Sequence, residues 1–142
     1  MLAILQCLQY CLLGFETEKE RMMAWVDRSA YMERLWALEG TRDIKVITGI
    51  RRSGKSELMK AFSASVARKD PSSNNVYIDL LDLDNEPLLE YHALHREIIE
   101  RHKDGTRNRP FIDEVQLCEG FEKAINSIRA RCGWDIYLPR WR

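Results

Sequence analysis

No apolar run in this 142-residue chain is long enough to cross a membrane as a helix. The nearest approach, residues 1–15 (MLAILQCLQYCLLGF), is too short and is interrupted by Gln6 and Gln9. It has no basic residue ahead of its apolar part and no small-residue cleavage site behind it, so it does not read as a signal peptide either. Leu2, Leu5, Gln9 and Leu12, with Leu8 beside them, can share one helix face, which suits an amphipathic extension; a true start at Met22 or Met23 is the alternative reading. An excess of either charge is also missing. Lys plus Arg number 22 and Asp plus Glu number 22, so no overall basic field argues for nucleic acid and no acidic one for basic partners. Cys7, Cys11, Cys118 and Cys132 lack zinc-ligand spacing and a secretory context, and they read as reduced thiols of a cytoplasmic protein. His92, His95 and His102 could line one helical face, but no fourth ligand stands at a metal-binding spacing. They read as solvated.

The chain is 45% hydrophobic and 31% charged, a globular balance with enough length for one domain and a real core. Its elements alternate. Ser29 can cap a helix over 30–38, where Tyr31, Leu35 and Leu38 recur at helical spacing and Gly40 ends the helix. The apolar run 44–48 predicts a first strand, with Ile44, Val46 and Thr48 inward or the whole run buried as parallel strands often are. Leu58, Met59, Phe62 and Val66 form one stripe of a helix over 55–68. A breaker loop at 70–75 precedes a second strand over 76–83. A helix over 88–103 follows, with Leu94 and Ile98 buried. After a polar loop at 106–109, residues 111–112 predict a brief third strand. Residues 120–131 predict a helix with Phe121, Ala124, Ile125 and Ile128 on one face, and 134–138 a fourth strand. Strand–helix alternation of this kind implies an α/β fold with a mostly parallel sheet, in which ligands sit at the carboxyl ends of the strands.

The strongest local signal lies between the first strand and the helix after it. Gly49, Gly54, Lys55 and Ser56 fit G-x-x-x-x-G-K-[ST], the phosphate-binding loop of nucleotide triphosphatases, in the strand–loop–helix setting the pattern requires. Glycines let backbone N–H groups close on phosphates, and the helix N-terminus adds partial positive charge. Lys55 would reach the β- and γ-phosphates, and Ser56 would place its hydroxyl on Mg²⁺. Arg51 and Arg52 read first as solvated loop cations. The candidate nucleotide-binding set is Gly49, Arg52, Ser53, Gly54, Lys55, Ser56 and Glu57. An acidic residue at the end of another apolar strand should complete the site, and P-F-I-D-E-V supplies it. Asp113 would hold Mg²⁺ through water, and Glu114 would polarise the attacking water as general base, giving Glu114 and Lys55 as the catalytic pair. Pro110 counts against a central strand there, since it removes a backbone donor. An N-K-x-D base-reading segment, which a GTPase would need, and an L-S-G-G-Q segment, which a transporter-type ATPase would show, are both missing.

G-I-R-R-S-G-K-S, V-Y-I-D-L, I-D-E-V-Q and G-F-E-K-A-I-N-S-I together resemble the AAA-type ATPase domain of a bacterial and archaeal group in which a C-terminal domain of unknown function usually follows. The resemblance covers roughly 28–138. It implies a P-loop NTPase three-layer sandwich, ATP as the nucleotide with Mg²⁺ as cofactor, and an intact relative able to oligomerise. It matches Gln116 to the polar residue that usually follows the acidic pair, and makes Arg28 and Tyr31 candidates for base or ribose contact. The protein partner is not indicated. The sequence departs from the pattern in three places: Arg109-Pro110 stands where apolar residues are expected, residues 1–25 have no counterpart, and 134–138 run into Pro139-Arg140-Trp141-Arg142 rather than a T-G-S-N-like sensor segment. The expected organisation is a helical extension over 1–27, a truncated ATPase core over 28–138 and an aberrant tail over 139–142. In folds of this type a fifth strand normally flanks the phosphate-loop strand, so 44–48 is expected at an exposed sheet edge. Mg-ATP binding with weak or absent hydrolysis follows, the alternative being a non-hydrolysing nucleotide switch or interaction module.

Overall fold

The structure is a computed structural model that describes residues 29–131 and 133–141. The predicted extension, Arg28, Cys7, Cys11, Cys132 and Arg142 lie outside the described residues. Helix α1 is described over 29–38 and is followed by β1 (Lys45–Gly49), α2 (Lys55–Lys69) and β2 (Asn74–Asp79). After a 3₁₀ segment at Leu83–Leu89 come α3 (Tyr91–Glu100), β3 (Asn108–Asp113), a short 3₁₀ turn at Val115–Leu117, α4 (Phe121–Arg131) and β4 (Tyr137–Trp141). The four strands form one all-parallel sheet in the order β1-β4-β3-β2. Side-chain alternation along the strands feeds two cores, one on each face. On one face Val76, Ile78, Ile112 and Leu138 meet Leu94 and Ile98 of α3 and Ile125 and Ile128 of α4. On the other, Phe111 and Tyr137 meet Leu35 of α1 and Leu58, Met59, Phe62 and Val66 of α2. The result is the α/β sandwich expected, with the predicted apolar stripes of α2, α3 and α4 facing the sheet. Among the described residues no helix is long and apolar enough to cross a membrane.

The strands differ from the prediction in instructive ways. In β1 the inward residues are Lys45 and Gly49, while Val46 is 48% exposed and Thr48 is exposed. The parity is the reverse of Ile44, Val46 and Thr48 inward. β1 lies at the sheet edge among the described strands, and its Val46 face extends past the cover that α3 and α4 give to the middle of the sheet. The second strand stops at Asp79 rather than 83. Asp79 Oδ1 accepts from the Leu81 N–H at 3.0 Å and Asp82 Oδ1 from the Asp84 N–H at 3.1 Å, so local side-chain bonds turn the backbone out of the ladder. Helix α3 starts at Tyr91 rather than 88, capped by Glu90, whose carboxylate accepts from the Ala93 N–H at 3.0 Å. The helix ends at Glu100, so His102 lies beyond it, and His95 is half-buried, its Nε2 3.0 Å from Ser127 Oγ. The three histidines therefore do not line one solvated helical face.

β3 is a full strand from Asn108, not a two-residue one, and Pro110 is accommodated within it. The Asp135 N–H donates to the Asn108 carbonyl at 3.0 Å, so even-numbered β3 peptides face the β4 side. Pro110's missing donor falls there, where β3 and β4 pair only at Phe111–Tyr137, and the β2 ladder is untouched. Arg109 enters the core because carboxylates wait for it. It is 1% exposed, with Glu39 Oε1 at 2.5 Å, Asp70 Oδ2 at 3.5 Å and Asp135 Oδ2 at 3.6 Å. Asp135 in turn pairs with the buried Lys45 ammonium and accepts from the Tyr137 hydroxyl at 2.9 Å and the Gly40 N–H at 3.0 Å. This charge network ties the end of α1 to the amino ends of β1, β3 and β4. The fourth strand runs over Tyr137–Trp141, later than 134–138, and Pro139 and Arg140 pair with Ile47 and Thr48. Those two residues of the predicted tail are strand.

Candidate functional site

The sheet's carboxyl end carries the motif residues. β1 ends at buried Gly49, and a Cβ there would sit 3.0 Å from Ser53 Oγ and 3.4 Å from Lys55 Cδ, so any larger residue would make those two side chains shift by a few tenths of an ångström. The loop turns through two left-handed residues, Arg52 (φ 64°) and Gly54 (φ 79°). Gly54 is the N-cap of α2 and provides no side-chain cap, which leaves the first-turn N–H groups facing the loop. Leu58 N–H closes the first helical bond to the Gly54 carbonyl at 2.9 Å. Lys55 is buried; its ammonium donates to the Ile50 carbonyl at 2.7 Å and to Ser53 Oγ at 3.3 Å. Ser53 is buried, Ser56 half-buried in the first turn, and Arg51, Arg52 and Glu57 are exposed. Glu57 lies 3.6 Å from the Lys60 ammonium on the helix surface.

Asp113 ends β3 at 2% exposure. Its Oδ1 accepts from the Glu114 N–H and its Oδ2 from the Tyr77 hydroxyl, each at 3.0 Å. Burial, then the charge and hydrogen bond of Asp113, push the Tyr77 hydroxyl far above the ordinary phenol range, so it stays a donor. The charges of Asp79 and Glu57 act on that hydroxyl in the same sense. Glu114 follows in a left-handed conformation (φ 54°), which turns its side chain out of the strand's alternation. Its carboxylate accepts from the Gln116 amide.

The structure thus sets Gly49, Ser53, Gly54, Lys55 and Ser56 in one loop and helix start, and Asp113 and Glu114 at the end of β3, with β4 between the two strands. Lys55 is engaged within its own loop and makes no hydrogen bond or ion pair to Asp113. Tyr31 packs half-buried against the α1–α2 core. The sequence reading missed Tyr77. Its signal was faint: a strand tyrosine whose relation to Asp113 exists only through the β2–β3 register, Tyr77 opposite Phe111 and Asp79 opposite Asp113.

The fit to a nucleotide and a divalent cation can be judged from these groups. A loop that a single Cβ would obstruct, a helix start without a side-chain cap and a buried ammonium suit a polyphosphate. A buried carboxylate with no cationic side chain paired to it among the described residues suits a hard cation.

Comparison with known proteins agrees with this geometry. A family model described as an AAA domain matches residues 41–138. A protein of Haemophilus influenzae described as uncharacterized is 29% identical over 117 residues, which is 81% of this chain and 29% of that protein. The chain therefore spans less than a third of the length of this curated relative. No solved structure matches.

Proposed function

This chain belongs to the AAA domain family, and from that premise we propose that it binds Mg-ATP at the carboxyl end of its sheet. The family places the chain among nucleotide-binding ATPase-type domains; the choice of ATP, the metal and the residue roles are this reading's own. The observation that carries it is the tight loop from Gly49 to Lys55, closed over a position where a Cβ would meet Ser53 Oγ at 3.0 Å and opening a helix without a side-chain cap. In this reading the loop N–H groups, with Arg52, Ser53 and Glu57 framing them, hold the phosphates. Lys55 exchanges its Ile50 carbonyl for phosphate oxygen. Ser56 and Asp113 hold Mg²⁺, which when bound offsets the charge of the β- and γ-phosphates. Glu114 orients and polarises a water as general base once its carboxylate leaves the Gln116 amide. ATP is the partner assigned; a macromolecular partner is not.

One observation favours a second reading, a nucleotide switch without turnover: the Glu114 carboxylate is held by the Gln116 amide rather than presented alone. Binding of a fluorescent ATP analogue, with and without Mg²⁺, together with steady-state phosphate release, separates the cases. Wild type should bind at least about tenfold more tightly than Lys55→Ala, as loss of charge-assisted phosphate contacts implies. Equal binding by the two defeats the nucleotide site. Wild-type binding with phosphate release no faster than that of Glu114→Gln defeats hydrolysis and leaves the switch.

A further inference from the structure

We propose that Tyr77 is a positioning residue for the metal carboxylate: its hydroxyl fixes Asp113 in the orientation that takes Mg²⁺ alongside the nucleotide. This rests on the Mg-ATP reading above. The tyrosine is anchored before it reaches Asp113. Tyr77, Phe111, Tyr137 and Lys45 occupy one row across β2, β3, β4 and β1. The Tyr77 ring stacks on Phe111 at 6.2 Å and 18°, and Phe111 stacks on Tyr137 at 4.8 Å and 16°. Swinging Tyr77 away from Asp113 would break the end of that stack, so its hydroxyl is a fixed donor rather than a wandering one.

The two tyrosines of the row serve different carboxylates. Tyr137 turns toward the amino end and donates to Asp135 at 2.9 Å, where Lys45 and Arg109 already supply positive charge. Tyr77 turns toward the carboxyl end and donates to Asp113 at 3.0 Å. There the donors among the described residues are neutral, the Tyr77 hydroxyl and the Glu114 N–H, one on each carboxylate oxygen. A carboxylate with one neutral donor on each oxygen has one acceptor direction left on each. That arrangement holds a hydrated cation in a defined direction, and partners of this kind are commonly worth 10- to 100-fold in metal affinity.

The test is Tyr77→Phe, which keeps the ring and its stack and removes the donor. Binding of a fluorescent ATP analogue is measured in EDTA and across a Mg²⁺ titration, for wild type, Lys55→Ala, Tyr77→Phe, Asp113→Asn and the double variant Tyr77→Phe/Asp113→Asn. The expected result for Tyr77→Phe is unchanged metal-free affinity and about a tenfold or greater rise in the Mg²⁺ concentration for half-saturation, with that rise vanishing in the Asp113→Asn background. An unchanged Mg²⁺ requirement overturns the proposal. So does an equal loss with and without metal, or the same loss in the Asp113→Asn background, since either marks a merely structural role. If wild type binds no better than Lys55→Ala, the Mg-ATP reading itself fails and the role of Tyr77 falls with it. Wild-type binding with a normal Mg²⁺ response and an inert Tyr77→Phe leaves the reading standing and removes only Tyr77.

Discussion

Replacing Asp135 by asparagine should destabilise the fold far more than its single lost charge suggests. Every group around that carboxylate is a donor: the Lys45 ammonium, the Tyr137 hydroxyl at 2.9 Å, the Gly40 N–H at 3.0 Å and the Arg109 guanidinium at 3.6 Å. An asparagine must turn an NH₂ toward one or more of these donors; it leaves the buried Lys45 ammonium without its counter-charge and takes one of three carboxylates from Arg109, which keeps Glu39 and Asp70. Lys45 and Arg109 are 4% and 1% exposed, so water cannot replace the carboxylate. Breaking a buried pair from one side costs about 3–5 kcal/mol. For a chain of this size that is a fall of roughly 9–15 °C in Tm, at about 3 °C per kcal/mol. Urea denaturation and thermal melting followed by circular dichroism give the number. The control is Glu97→Gln, which breaks the exposed i,i+4 pair with Arg101 and should cost no more than about 0.5 kcal/mol. If Asp135→Asn costs no more than Glu97→Gln, the network does not carry the packing of the strand starts and this reasoning is wrong.

Other substitutions test neighbouring parts of the account. Gly49→Ala should weaken binding of the ATP analogue by roughly tenfold or more while changing stability by less than about 1 kcal/mol, because its Cβ would press on Ser53 Oγ and Lys55 Cδ and displace the ammonium; titration and melting of the same sample check both halves. Glu39 gives a pH signature. Burial alone would raise its pKa, but the hydrogen bond and charge of Arg109, with Arg107 beside it, hold it below the ordinary 4.5. A depressed carboxylate contributes stability that is fully present above 4.5 and is lost as pH falls through the lower folded value. Unfolding free energy measured against pH should therefore fall less steeply below 4.5 in Glu39→Gln than in wild type, and parallel acid limbs would contradict the pairing.

The parts of this molecule legible in the sequence are those governed by local rules. The stripe Leu58, Met59, Phe62 and Val66 follows helical periodicity, and all four are buried. The loop from Gly49 to Ser56 is a fixed spacing with a mechanical reason for each glycine. What was illegible depends on partners distant in the chain. Lys45 reads as a solvated residue until Asp135, 90 positions away, is known to lie beside it. Arg109 reads as a loop residue until Glu39, 70 positions away, is known to accept from it, and only then does β3 extend back to Asn108. The inversion of β1 belongs with these, because Lys45 turns inward to Asp135 and lies over the Tyr137 ring. Tyr77 belongs to the same class: alternation assigns it to a sheet face, but its bond to Asp113 is a product of inter-strand register.

The most direct test of the nucleotide site is to map it. Backbone amide shifts of the isotopically labelled protein, recorded during titration with ATP and Mg²⁺, report where the ligand lies residue by residue. The largest changes should fall at Gly49, Gly54, Lys55 and Ser56, with Asp113 and Glu114 responding when Mg²⁺ is added to the ATP-bound protein. Changes confined to the amino end of the sheet, around Lys45, Arg109 and Asp135, or no saturable change at all, would contradict the assignment of this loop as the phosphate site.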